Sequence, residues 1–311
     1  MTAKDSIIWT IIVKEVLSVT DKEAMIIINS FRRKTSYTDE EEFEYTEALG
    51  YMISEHPDPG LMMELGGFYY GKRLFDLALK YYEMAASLNY EEANECLGYI
   101  WYYGRTGEVN YEKAFTYFKA ASQRGNPVAR YKIADMYKNG YYVEKDYGKY
   151  KTIIEELYDE YKNNRHLGAP VPEIFTRLAN IRVKEGREDE AIGLFLEAKH
   201  FLAQRIMYNP FFGNLNIMKW LIEDLYKLIE PDPYEMDLYD LYYWLTFPCT
   251  ISFELEGKEY TVSCVEEDGQ MHIKFEDTWY MDVDNFFKKA SVNGKLLTDY
   301  FFDIGFLSLE E

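Results

Sequence analysis

The chain is poor in the residues on which most metal and redox chemistry depends. Among its 311 residues there are three cysteines, and the four histidines stand far apart at 56, 166, 200 and 272. Three cysteines cannot build a disulfide scaffold, and the histidines have no ligand spacing. Basic residues are in deficit too: 34 Lys and Arg face 54 Asp and Glu, for a net charge of −20. So acidic a chain has little electrostatic reason to hold nucleic acid. Glycine-rich phosphate loops and nucleophile elbows are missing. No apolar run approaches the roughly 18 residues of a membrane span. The run from Ile7 to Val13 is stopped by Lys14-Glu15, and no small-residue cleavage site follows. It reads as one face of an amphipathic first helix, so a reducing cytoplasm is expected, with no membrane contact, no metal and no cofactor.

What is abundant is apolar and aromatic. Apolar residues make up 48% of the chain, enough for a core, and aromatics 17%, with 30 tyrosines. Charge is distributed unevenly. Residues 1–60 carry −6, residues 61–230 carry −1, and residues 231–311 carry −13. The last change coincides with Pro231-Asp232-Pro233, a stiff breaker after a helical pattern. Three regions are expected: an N-terminal helical cap over 1–58, helical repeats over 59–230, and an acidic α+β domain over 231–311.

An internal period organises the middle. Residues 93–125 read Ala93, Leu97-Gly98, Trp101, Gly104, then Ala114, Tyr117, Ala120-Ala121 and Gly125. Residues 129–150 repeat the first half: Ala129, Ile133-Ala134, Tyr137, Gly140, Tyr150. Upstream stand Leu65-Gly66, Tyr69, Gly71, Ala78, Tyr81-Tyr82 and Ala85-Ala86. The glycines at 71, 104 and 140 step by 33 and 36. Each unit reads as two amphipathic helices. Gly104 and Gly140 fall where a left-handed C-cap is needed, and Gly98, Ala121 and Ala134 allow close helix approach. One hairpin cannot bury both faces, so the units must stack.

These residues resemble the Sel1-like repeat family, a relative of the tetratricopeptide repeats. The likeness is strongest over 93–125, good over 129–150 and weaker over 61–90. It implies a mainly α fold, a right-handed α-solenoid. After Tyr150 the pattern departs: Lys-Thr-Ile-Ile-Glu-Glu-Leu lacks the Ala-Ala pair, and a long helix is expected there. Some family members carry a cysteine pair in each repeat and are linked to hydrolysis. Only Cys96 lies in these repeats, so that activity is not carried over. A further hairpin is expected over 172–204, turning at Glu185-Gly186-Arg187, then a break at Asn209-Pro210 and a helix over 217–228. Thr38 with Glu41 reads as a capping box, and Asp58-Pro59 as a helix start.

From Cys249 the apolar period becomes two. Turns at Glu256-Gly257 and Asp268-Gly269 would pair 253 with 260, 251 with 262, 249 with 264, 262 with 275 and 264 with 273. Every such pair is apolar and on one face, so a three-stranded antiparallel meander is expected. Helices over 282–290 and 295–303, joined by Asn293-Gly294, should follow. Cys249 opposite Cys264 admits a redox switch, but two small buried residues suffice as an explanation.

Carboxylate pairs such as Glu155-Glu156 read as solvated surface rather than acid/base machinery. Recognition remains. Counting from the Leu-Gly pairs, the concave groove should present Tyr70, Tyr99, Tyr102, Tyr131, Asp135 and Lys138, while Trp101 and Tyr137 pack between units. The expectation is a bacterial, monomeric, non-enzymatic adaptor. It would bind a protein or peptide through that groove, or a basic partner through the acidic C-terminal domain. An immunity protein neutralising a basic toxin, and a hydrolase, are the alternatives.

Overall fold

A computed structural model describes residues 19–34, 37–163, 170–208, 212–232, 235–267, 269–301 and 303–310. The Ile7–Val13 run, Asn209-Pro210, Pro233 and Asp268 lie outside the described residues. The chain divides into two units, Met1–Lys145 and Asp146–Glu311.

The first unit is a series of antiparallel helical hairpins. α1 (Asp21–Phe31) packs on α2 (Asp39–Glu55) and α3 (Pro59–Gly71) on α4 (Phe75–Ser87). α5 (Ala93–Tyr102) packs on α6 (Tyr111–Ser122), which also meets α7 (Pro127–Asn139). Starts are strongly specified. Thr38 and Glu41 form the anticipated capping box, Thr20 and Glu23 form another, and Asp58 caps α3 ahead of Pro59. Asn110 and Asn126 cap α6 and α7. Each such cap is worth about 1 kcal/mol. α3 is tied to the first hairpin through Glu64, which takes Arg32 Nε at 2.8 Å and the Tyr45 hydroxyl at 2.7 Å.

Small residues set the spacing within a hairpin. A methyl on Gly98 would lie 2.5 Å from a ring carbon of Phe118, and one on Gly66 would lie 2.6 Å from Tyr82. The α3/α4 and α5/α6 hairpins thus use the same device, a glycine under an aromatic ring. Gly104 and Gly140 have φ of +58° and +76°, the left-handed conformation anticipated for them. Gly71, which keeps step with them in sequence, has a different place. It is the last residue of α3, and Arg73 takes the positive φ, +60°, two residues later.

The second unit begins with the long helix α8 (Tyr147–Asn163), followed by the hairpin α9 (Pro172–Lys184) and α10 (Glu188–Tyr208). α11 (Phe212–Leu225) packs on α10. The α9–α10 turn is laced with charge. Glu185 pairs with Lys151, accepts from Arg182 Nη1 at 2.9 Å and from Arg187 Nη1 at 3.3 Å. Chiefly through Lys151, its carboxyl is held at about 2, below its ordinary 4.5. The depressed value means that Glu185 stabilises the fold above its unfolded pKa and loses that contribution as pH falls through its folded one. Melting temperatures of wild type and Glu185→Gln should therefore differ at pH 6 and converge between about pH 4.5 and 2. A gap that survives at the acid end would contradict this.

A 3-10 turn (Leu238–Asp240) and α12 (Leu241–Trp244) lead into the sheet. β1 (Cys249–Leu255), β2 (Lys258–Glu267) and β3 (Gln270–Phe275) form the meander in the anticipated register, with Cys249 opposite Cys264, Ile251 opposite Val262 and Val262 opposite Phe275. Among the described residues the sheet has five strands rather than three. β4 (Thr278–Tyr280) continues the meander beyond β3, and β7 (Gly305–Glu310) pairs with β1, giving the order β4-β3-β2-β1-β7. Its apolar face packs on α13 (Val283–Lys289), where Phe286 meets Phe275 and Tyr280 edge-on at 5.7 and 5.5 Å. The helix expected over 295–303 is absent. Asn293 (φ +51°) and Gly294 (φ +79°) turn a hairpin between β5 (Ser291–Val292) and β6 (Lys295–Leu296), and only a 3-10 turn, Leu297–Tyr300, follows. Two consecutive left-handed residues are the signature of a tight hairpin, not of a helix connection.

Candidate functional site

The groove residues anticipated from the repeat all lie on the first helix of a hairpin or on α7. Tyr70 is on α3, Tyr99 and Tyr102 on α5, and Tyr131, Asp135 and Lys138 on α7. Tyr131 is 2% exposed and Asp135 8% exposed; the other four are half-buried. The Tyr99 and Tyr131 hydroxyls share a hydrogen bond of 2.8 Å.

At the centre of this group sits Lys132, itself buried. Its ammonium donates to the Tyr103 hydroxyl at 2.7 Å. It lies 5.0, 4.9, 4.8 and 5.6 Å from the ring centres of Tyr99, Tyr102, Tyr103 and Tyr131. Ring quadrupoles and a phenol oxygen replace part of the water that the ammonium loses on burial. Tyr103 links this cage to a second cation. The Arg105 guanidinium carbon is 4.9 Å from the Tyr103 ring centre, 5.4 Å from Phe75 and 6.0 Å from Tyr70. Its Nε donates to the Tyr70 hydroxyl at 3.2 Å. Burial pushes the Tyr70 hydroxyl above its ordinary value, against the pull of Arg105. Tyr70, Tyr99, Tyr102 and Tyr131 thus belong to one aromatic–cation row. Asp135 and Lys138 continue along α7 beyond it.

A second polar cluster lies in the other unit. Lys199 on α10 pairs with Asp237 at 2.7 Å and with Asp240 at 2.5 Å. Asp240 also accepts the Tyr226 hydroxyl and, at 2.7 Å, the backbone N–H of Asp237. Lys199 and Asp240 are both buried. Burial and the neighbouring Asp240 raise Asp237 above its ordinary value, although Lys199 opposes them. Burial would lower the Lys199 ammonium, but the two carboxylates more than offset it and raise it. Every charge here is spent on another within the cluster, and that is an anchor for 237–240 on α10 rather than an acid/base pair. Among the described residues, no group of three His, Cys, Asp or Glu could hold a metal ion.

No family model and no curated protein matches the sequence. Solved structures do. The chain is similar to Sel1-repeat proteins. A Sel1 repeat protein from Oxalobacter formigenes is 17% identical with a TM-score of 0.45, over 73% of this chain and 82% of that one. The c5321 protein, a protective antigen present in uropathogenic Escherichia coli strains displaying an SLR fold, is 13% identical with a TM-score of 0.42. That match covers 73% of this chain and only 52% of the antigen, so this chain spans about half its length.

Counting from the Leu-Gly pairs of the Sel1-like units did not reveal Tyr103, Arg105 and Lys132. The usable signal is a spacing of about one repeat between aromatic and cation. Arg105 reaches Tyr70 across 35 residues and Lys132 reaches Tyr103 across 29. Trp101 takes the Lys113 ammonium over its ring at 3.7 Å and joins the α6/α7 core.

The three cysteines are free thiols. Cys249 and Cys264 donate to the carbonyls of Trp244 and Leu245, each at 3.2 Å. Burial raises the Cys264 thiol and, with Glu95 adding to it, pushes the Cys96 thiol up to about 12. The thiolate is the nucleophile, so a disulfide reagent at pH 8 should label the native chain far more slowly than the urea-unfolded chain. Prompt labelling of three thiols per native chain would refute this.

Proposed function

We propose that this chain is a non-catalytic protein-interaction adaptor that binds its partner on the face carrying Tyr70, Tyr99, Tyr102, Tyr103 and Arg105. One observation carries the reading: successive hairpins contribute tyrosines and cations to a single row, with Tyr103 45% exposed at its surface. Tyrosine offers a large contact area, few rotors and a hydroxyl, which suits a recognition surface. The acidic region 231–311 would steer only a basic partner. Two of its acids, Asp237 and Asp240, are bound internally by Lys199 and do not contribute free charge. The immunity and hydrolase readings rest on charge and family association alone, and no geometry adds to either.

A photo-crosslinking phenylalanine analogue placed at Tyr103 or, separately, at the exposed Trp279 of β4 tests the assignment in the native cell. A discrete adduct from position 103 is expected. An adduct from position 279 only would move the contact to the sheet. Turnover abolished by a single substitution would overturn the non-catalytic reading.

A further inference from the structure

The chain carries 54 acidic residues against 34 basic ones, yet among the described residues Arg105 has no carboxylate partner. Its surroundings are aromatic: Tyr70, Phe75 and Tyr103 lie within 6.0 Å of the guanidinium carbon. Nε is engaged by Tyr70, and among the described residues neither terminal nitrogen meets an acceptor. The side chain is half-buried, so part of its hydration is lost without an anion in return. Gly104, at φ +58°, turns the chain so that Arg105 reaches the tyrosine of the preceding hairpin. Three contacts hold the guanidinium in place before any ligand arrives.

With Nε occupied, the two terminal nitrogens form the end-on fork that matches a carboxylate with two parallel hydrogen bonds. A second cation stands on the same ring, with Lys132 Nζ 4.8 Å from the Tyr103 centre. The Arg105 charge thus stands beside an accessible aromatic surface in a chain of net charge −20. We infer that Arg105 is the anchor for an acidic peptide segment of the partner protein. One Asp or Glu side chain binds the Arg105 fork, and its aliphatic neighbour packs on the Tyr103 ring. This inference rests on the adaptor reading and adds the chemistry of the partner, an acidic one. It is opposite in sign to the basic partner anticipated from composition.

Random 12-residue peptides displayed on phage and selected on the full-length chain provide the test. The selected peptides are then titrated against wild type, Arg105→Gln, Arg105→Lys and, as a charge-removal control in the second unit, Lys227→Ala. The expected pool is enriched in Asp and Glu despite the repulsion of the net charge. Its binding weakens about 10- to 100-fold in Arg105→Gln and only in part in Arg105→Lys, which keeps the charge but not the fork. Lys227→Ala binds as wild type. Unchanged melting temperatures for both Arg105 variants separate lost contact from lost fold; Arg105→Lys carries the comparison if Arg105→Gln is unstable. Peptides that bind at the row without carboxylates, or equally well to Arg105→Gln, overturn the acidic-anchor inference and leave the adaptor reading standing. A wild type that self-associates through Arg105 and selects no acidic peptide assigns the carboxylate to a second copy and overturns the inference. Selection of no peptide, by a monomeric chain, removes both.

Discussion

Lys199→Met destabilises the second unit by about 3–5 kcal/mol at neutral pH, because it leaves buried charge uncompensated. Methionine keeps the length and apolar stem of lysine, so the loss reports the ammonium. Without it, Asp237 and Asp240 face each other, and among the described residues the Tyr226 hydroxyl and the backbone N–H groups of Asp237 and Tyr239 donate to them. Asp240→Asn is milder, since Lys199 still holds Asp237 at 2.7 Å. The double variant Lys199→Met/Asp240→Asn recovers part of the single loss by removing one of the two anions. The pH dependence has a definite sign. Asp237 already lies above its ordinary 3.8 in the folded chain, so the folded state holds its proton more tightly than the unfolded state does. A carboxyl raised in this way favours folding below its unfolded pKa, and that advantage is lost as pH rises through the folded value. The Lys199→Met deficit must therefore shrink on acidification. Urea midpoints at pH 8 and pH 5 measure it. A deficit below about 0.5 kcal/mol, within the range of neutral surface changes, would show that this ion cluster does not anchor the 3-10 turn to α10.

What could be read from the sequence here is what short-range chemistry decides. Capping residues fixed the starts of α2 and α3, because an N-cap acts within one turn. The period-two alternation set the β1–β2–β3 register, since slipping by one residue would turn every apolar side chain outward. β7 escaped because its alternation is broken: Ile251 pairs with Leu309 but Phe253 with Phe306, so the strand carries an extra residue opposite β1. Asn293-Gly294 was misread as a helix connection because the strands it joins are two residues each, too short for any alternation to show. Lys199 and Asp240 lie 41 residues apart, and no local pattern links them. The aromatic row was half legible. Its tyrosines follow the repeat, whereas Arg105 lies just past Gly104, where the chain leaves the helix and periodicity no longer says where a side chain goes.

The Gly98–Phe118 contact supplies the other large effect. Phe118→Ala empties a fully buried ring site and should cost about 3–5 kcal/mol. Gly98→Ala works from the opposite side. Its methyl would lie 2.5–3.0 Å from three ring carbons of Phe118. The ring is buried and cannot swing away, so overpacking costs about 1–3 kcal/mol, partly offset by roughly 1 kcal/mol of better helix propensity. The two variants compete for the same space, which makes their combination informative. Once the ring is gone the alanine methyl has room and begins to fill the cavity. The double variant should then be less destabilised than the sum of the two single losses by about 1–3 kcal/mol, the range seen for residues in contact. Strict additivity in urea unfolding would mean that the glycine is there for backbone freedom and not for close approach. Because Gly66 under Tyr82 repeats the arrangement one hairpin earlier, Gly66→Ala with Tyr82→Ala should show coupling of the same sign. The hairpin spacing would then rest on a glycine–aromatic contact in two successive repeats, and that spacing positions Tyr70 and Tyr99 for the row they share.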